Sequence, residues 1–556
     1  MNERTDPNAG SPSVTGHEPV FAHRGLFIEN KWGPDLMELA DWQDIVDWMA
    51  DHGMNTLTIG LYGCWTVQYN NQITEFLMVP LPGHPEINTP KTIQWYSALD
   101  AQWKSLEYLP RIYEQDFLGE LVAYGQQRGV EVFGLFNSLG HNTLIPRHIP
   151  EISAVDEEGK PTNYGYCLSK PETLETVGGW YQHIWRKYFA PHGAKHFHLG
   201  LDEILKGRGV DPDDWYREID PWCRCEQCQR RSPEELFTDY AVGLIRMLRE
   251  AGVETVVLWN DQMTRHMHFI DKFVERIRRE GLEEHVVVEF WGYSSNSIDE
   301  TVHPRLAGGL RTWVMPMGCY YNWSRYHSNL DNIALMATMA EQEGAEGLHA
   351  YSVWDWAQEP EYVLLAQCGQ QGAKASQQFL PRYCRERFGS DAELVQNAIE
   401  TLREVASNPG LQKTYYYQYT YIQSDQPYPR PYPESALAGL AKGNAYADLQ
   451  QVVRLSRQAR RDLAEASDQA DLVIANLTAE LWRCQALAGC FAWLLTQEAT
   501  AEVSAGAQSN DEAMPRTKED ARELLVTAMG EIEQRKPHYM VPSVLRDLSK
   551  LLPALE

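Results

Sequence analysis

Eight short β-branched or apolar runs alternating with amphipathic helical patterns predict an α/β chain. The expected architecture is a (β/α)8 TIM barrel followed by a C-terminal, mostly α-helical domain. Three observations carry that prediction. The runs recur between residues 24 and 354. Helical stretches such as DWQDIVDWMADHG and SPEELFTDYAVGLIRMLREAG lie between most of them. Beyond about 375 the texture changes to long Ala/Leu/Glu-rich segments. At 556 residues the chain is also too long for one ordinary core.

Taken in order, residues 1–19 are polar and read as a disordered tail. The barrel is expected over 20–375, with strands at RGLFIE (24–29), NTLTIGLYG (55–63), GVEVFGLF (129–136) and KHFHLGL (195–201). The other four are ETVVLWN (254–260), HVVVEFW (285–291), LRTWVMPM (310–317) and EGLHAYSVW (346–354). The segment 62–110, rich in Pro, Tyr and Asn, leaves the C-terminal end of the second strand and is expected to overhang the mouth. Residues 376–556 read as the helical domain, packing on the barrel or on a second subunit in a homo-oligomer. The link 414–434 is aromatic and proline-rich, hence extended, and the apolar run at 486–495 suits a buried helix.

Composition narrows the function. The formal charge of −28, from 49 basic and 77 acidic residues, repels phosphate backbones and anionic surfaces, arguing against nucleic-acid and membrane partners. No run approaches a membrane span, and MNERTDPNAGSPSVTGHEP holds no apolar signal region, so a cytoplasmic location is expected. The 18 tryptophans supply flat apolar faces that suit core packing and stacking on sugar rings. Ten cysteines are scattered through apolar surroundings, Cys167 among them, and read as reduced, buried thiols. Cys223, Cys225 and Cys228 form a C-x-C-x-x-C stretch that can seed a structural zinc site. A fourth ligand is needed and none sits at an obvious spacing, though a His or a distant Cys could complete the set, so buried thiols remain the default. The sequons at 322 and 476 read as chance patterns.

In a barrel, side chains at the C-terminal strand ends converge on one face. That filter selects Arg24 and Glu29 from the first strand, Asn137 and His141 after the third, and His198, Asp202 and Glu203 at the fourth. The later strands add Trp259 and Asp261, Trp291, then Tyr320, Tyr321 and Asn322, and finally Trp354, Asp355, Trp356 and Glu359. Tryptophans and carboxylates around one mouth suit a carbohydrate and its glycosidic bond. An Asp-Glu pair at a strand end is otherwise a solvated loop, and each tryptophan has core packing as its alternative.

His198-x-Gly200-x-Asp202-Glu203 resembles the H-x-G-x-D-E motif of glycoside hydrolase family 20, the β-N-acetylhexosaminidases. RGVEVFGLFNSLGH, CLSKPET, VVLWNDQM, VVVEFW and VMPMGCYYN resemble further segments of that family, so the likeness covers roughly 20–365. It implies a retaining exo-β-N-acetylhexosaminidase acting on terminal β-linked GlcNAc or GalNAc of an oligosaccharide or glycoconjugate, without a cofactor or catalytic metal. The implied mechanism is substrate-assisted, through an oxazolinium ion. Carried over by position, Glu203 is the acid and base, Asp202 holds the acetamido N–H, His141 supports Glu203, and Tyr320 bonds the acetamido carbonyl. Arg24 grips sugar hydroxyls, while Trp259, Trp291 and Trp354 wall the pocket.

The chain departs from the family in several places. It has Asn322 where Tyr-x-Asp is common, Asn137 in place of an Asp, and Trp354-Asp355-Trp356 in place of Trp-x-Glu, with Asp355 or Glu359 as substitutes. The family's small α/β domain before the barrel is expected to be missing, since the first strand is read as beginning near residue 22. Two alternatives therefore stand: a glycosidase for a different or modified hexosamine, and a non-catalytic carbohydrate-binding relative.

Overall fold

The computed structural model describes residues 18–30, 33–62, 75–208, 218–319, 329–414, 433–441, 445–498 and 513–556. The expectations for most of the N-terminal tail, for Tyr320, Tyr321 and Asn322, and for most of the 414–434 link lie outside the described residues. The barrel strands are β1 (His23–Ile28), β2 (Thr56–Tyr62), β3 (Glu131–Phe136) and β4 (His196–His198). They continue with β5 (Thr255–Trp259), β6 (Val286–Trp291), β7 (Arg311–Met315) and β8 (Gly347–Ser352). Each pairs in parallel with its sequence neighbours, and β1 closes on β8 over His23–Ile28 against Gly347–Ser352. Helices cover the outer faces, so every residue of β2, β5 and β8 is buried. This explains why these strands read as near-continuous apolar runs rather than alternations.

The flanking helices are α1 (Leu39–Asp51), α2 (Leu118–Arg128), α3 (Pro171–Ile184), α4 (Pro233–Glu250) and α5 (Ile270–Arg279), with α6 (Asn329–Glu343) and α7 (Glu359–Gln371). Their apolar spacing is the cause of their placement. In α1 the buried residues are Trp42, Ile45, Val46 and Met49, and in α5 Ile270, Phe273, Val274 and Ile277, a stripe recurring at three and four residues. α4 starts at a Ser232–Glu235 capping box followed by Pro233, which fixes its first turn. After β6 the chain makes only the 3₁₀ turns Glu300–Val302 and Pro304–Ala307 where a sixth helix would stand.

Strand β4 ends three residues earlier than its pattern suggests. Gly200 and Leu201 both take φ of 68°, which breaks the extended run. The ladder to β5 nevertheless continues, with Leu199 N–H donating to Val257 O at 2.8 Å and Trp259 N–H to Gly200 O at 3.0 Å. Asp202 and Glu203 therefore stand on a tethered turn at the mouth rather than on the strand itself.

The C-terminal helices are α8 (Phe379–Phe388), α9 (Ala392–Ala406), α10 (Ala445–Leu463), α11 (Leu472–Glu498), α12 (Lys518–Arg535) and α13 (Val541–Ser549). α11 contains the apolar run 486–495 and packs between α10 and α12. Asn476 of the second sequon is buried on α11, its amide bonded to Leu472 O. These helices pack on the barrel of their own chain. Lys536, just past α12, is fully buried and places Nζ 2.6 Å from Asp355 and 2.8 Å from Glu480. A hairpin within the 62–110 segment, Lys91–Ser97 with Gln102–Tyr108, meets the same helices, Ser97 Oγ donating to Glu533 at 2.7 Å. No described helix is long and apolar enough to cross a membrane.

Candidate active site

Three strand ends build the centre of the mouth: β3 brings Asn137 and His141, β4 Asp202 and Glu203, and β5 Asp261. The β3 and β4 turns approach so closely that a Cβ on Gly140 would lie 1.9 Å from Asp202 O, so only glycine fits there. Gly200 combines positive φ with a side-chain contact, a Cβ there falling 2.6 Å from Asn137. The small residues in the Gly-His pair and in H-x-G-x-D-E therefore have a common cause, the docking of these two turns. Several non-glycine residues with positive φ also sit here: His141 (50°), Leu201 (68°), Glu203 (44°) and Trp354 (60°). Strain of this kind persists only where the surroundings impose it.

His141 bridges the acidic pair, its Nε2 lying 3.0 Å from Glu203 Oε2 and 3.4 Å from Asp202 Oδ2. Burial works against a charged imidazole, but the Asp202 charge and hydrogen bonds to both carboxylates outweigh it and hold His141 well above the usual histidine range. Asp202 moves the opposite way. Burial would raise it, yet the His141 charge and hydrogen bonds from His141 and Asn137 hold it below the usual carboxylate range. Asn137 donates Nδ2–H to Asp202 Oδ1 at 2.5 Å while its own oxygen accepts Leu201 N–H at 2.8 Å. Asn137 therefore positions Asp202. Glu203 keeps 35% of its side-chain surface open against 19% for Asp202, so it is the more accessible acid.

Asp261, fully buried, fixes the pair from behind. Its Oδ2 accepts Glu203 N–H at 2.9 Å and its Oδ1 accepts Trp291 Nε1–H at 3.0 Å. Burial raises Asp261, the His266 hydrogen bond opposes that, and the Asp202 and Glu203 charges add to the rise. Trp291 remains partly open and carries Arg265 over its ring at 4.5 Å. Trp259 is buried beneath, 4.3 Å from the His198 ring.

Several expected contacts fall elsewhere. Arg24 lies near the start of β1, at the far end from the mouth, and donates to Gly53 O, Phe21 O and Ala22 O. It clasps the barrel bottom, while Glu29 and Asn30 occupy the mouth end of β1. His198 points into the barrel, Nε2 3.3 Å from Glu289, whose other oxygen is 3.0 Å from His349. Trp354 is buried, stacked on Tyr362 with centroids 5.0 Å apart and planes 3° from parallel. Asp355 is taken up by Lys536, and Glu359 accepts Tyr383 O–H at 2.5 Å with Arg387 at 3.5 Å. Asp355 and Glu359 serve the junction with the C-terminal helices, because partners farther along the chain claim them, whereas Trp354 packs within the barrel against Tyr362 and Trp48.

Tyr293 is a residue the strand-end filter missed. Its ring lies 5.0 Å from that of Trp291, and burial and then the Glu203 and Asp202 charges push its phenol well above its ordinary value. Only its position two residues past Trp291 could have flagged it. The 62–110 segment also reaches this loop. Glu75 accepts Thr143 N–H at 2.9 Å and Leu144 N–H at 2.8 Å, with Tyr62 O–H at 2.8 Å. That carboxylate caps the short helix Leu144–His148, which follows His141. Cys223, Cys225 and Cys228 take no part in this constellation.

Comparison with known proteins adds the family. The profile for the glycosyl hydrolase family 20 catalytic domain matches residues 21–364. No sequence among the curated proteins matches the chain. Among solved structures, a β-N-acetylhexosaminidase from Bacteroides fragilis is 15% identical, with TM-score 0.42 over 64% of this chain and 66% of that one. A GH20 exo-β-N-acetylglucosaminidase from Vibrio harveyi is 13% identical, with TM-score 0.44 over 67% and 58%. A GH138 enzyme targeting pectin rhamnogalacturonan II is also 13% identical, with TM-score 0.48 over 94% and 78%. The family match spans more than half the chain and includes every strand of the barrel, so the protein belongs to glycosyl hydrolase family 20 and is a glycoside hydrolase.

Proposed function

We propose that the chain is a retaining exo-β-N-acetylhexosaminidase that uses the substrate's own 2-acetamido group as nucleophile. The observation that carries this reading is the pairing of Asp202 and Glu203 through one imidazolium, with Asp202 anchored and Glu203 more open. Glu203 gives its proton to the glycosidic oxygen as the acetamido oxygen attacks the anomeric carbon and the leaving alcohol departs. Asp202 accepts the acetamido N–H and offsets the positive charge that grows on the oxazolinium ring. Water, deprotonated by Glu203, then opens that ring with retention. Trp291, partly exposed beside the pair, offers an aromatic face to the sugar. The substrate class is accordingly an amino-sugar-bearing oligosaccharide or glycoconjugate.

Aryl β-N-acetylglucosaminide and β-N-acetylgalactosaminide test the reading. The wild type is expected to hydrolyse at least one, and Glu203→Gln to lose roughly 10²–10⁴ in kcat with a poor leaving group. If both sugars bind and neither turns over, the hydrolase reading of this site gives way to a carbohydrate-binding relative.

A further inference from the structure

The C-x-C-x-x-C stretch gains a fourth thiol in the folded chain. Cys167, immediately after the strand Pro161–Tyr166, brings its sulfur to 3.7 Å from Cys225 Sγ and 3.8 Å from Cys228 Sγ. The sulfurs of Cys167, Cys223, Cys225 and Cys228 all lie within 4.8 Å of one another. None of the four forms a disulfide, and three are buried with Cys225 half-buried. A regular tetrahedron of sulfurs around zinc, at about 2.3 Å from each, has edges of about 3.8 Å. Both of these sulfur pairs match that edge.

We propose that Cys167, Cys223, Cys225 and Cys228 hold a structural zinc ion. The surroundings suit thiolate ligands. Cys228 N–H points at Cys225 Sγ and Val155 N–H at Cys223 Sγ, both at 3.4 Å, and Ser169 Oγ lies 3.1 Å from Cys228 Sγ. The two backbone N–H donors aimed at sulfur favour its anionic form. Four soft sulfur ligands select zinc over hard cations, and a full protein shell leaves no open position for a reacting water. Binding releases four thiol protons and leaves the centre with a net charge of −2; no electron is exchanged.

The site has a structural task. Cys167 belongs to the β3–α3 connection that carries His141, and the other three belong to the β4–α4 connection that carries Asp202 and Glu203. These connections already touch through Arg224 N–H to Val155 O at 2.7 Å and Tyr164 O–H to Leu205 O at 3.1 Å. They also share a small apolar cluster of Ala154, Leu236 and the thiols, separate from the main core. A core that small needs a staple. The metal would pin together the two turns whose close approach sets the acidic pair.

The test is the metal content of the full-length protein purified without chelators, with zinc K-edge absorption to read the ligands. We expect about one zinc per chain, a shell of four sulfurs at about 2.3 Å, and loss of the metal in Cys167→Ser. Iron in place of zinc, a wild type without metal, or a shell containing nitrogen or oxygen overturns the proposal. So does a folded Cys167→Ser that keeps its zinc. If Cys167→Ser does not fold, the wild-type stoichiometry and sulfur shell decide.

Discussion

At the scale of single residues, the site turns on the imidazolium of His141. Its folded-state value lies above the ordinary 6.5 and that of Asp202 below the ordinary 3.8. The His141 contribution to stability is therefore complete below 6.5 and lost as pH rises through its raised value. The Asp202 contribution is present above 3.8 and lost as pH falls through its lowered value. Both act together between these limits. His141→Asn should accordingly cost most stability near pH 5.5 and less at pH 9, as read by urea unfolding. A cost that does not change with pH would place no charge on His141. The acidic pair itself was legible because one short motif held it at a strand end. Asp355 and Glu359 were misplaced because a filter based on strand ends ignores partners, and Arg24 because it opens its strand at the barrel bottom rather than ending it at the mouth. Their bonds run to Gly53, Lys536 and Arg387, none of which a local pattern can reveal.

At the scale of elements, the strands were the most readable part. Burial on both faces writes each one as an apolar run, and seven of the eight start and stop within about two residues of their patterns. β4 is the exception, since its alternation continues through residues 199–201 while positive φ at Gly200 and Leu201 ends the strand. The docking of the β3 and β4 turns was not legible. It depends on Gly140, whose need for no side chain arises only from the Asp202 carbonyl of another strand end. Gly140→Ala is expected to force the turns apart at a cost of about 1–3 kcal/mol, and to lower kcat/KM at least tenfold through the displaced pair. Steady-state kinetics alongside thermal unfolding checks this, and unchanged kinetics would mean that the close approach does not set the dyad.

At the scale of the whole molecule, the C-terminal helices are joined to the barrel by a buried charge network. Lys536 sits between Asp355 and Glu480, and Glu480 also accepts from Arg483 at 2.8 Å. Burial would lower Lys536, but the two carboxylates raise it, and Glu480 is drawn down to about 2. Removing the ammonium strands buried carboxylates, so Lys536→Met should destabilise by about 3–5 kcal/mol. Asp355→Asn on that background should recover part of the loss; a Lys536→Met protein as stable as wild type would contradict the role of this junction. The sequence signalled a helical C-terminal region, but this junction joins residues 181 positions apart. The central claim, that the sugar's acetamido group is the nucleophile, is tested most directly by turnover of matched aryl β-N-acetylglucosaminide and β-glucoside. The account predicts hydrolysis of the first and at least roughly thousandfold slower hydrolysis of the second, which lacks the intramolecular nucleophile. Comparable turnover of both would contradict it.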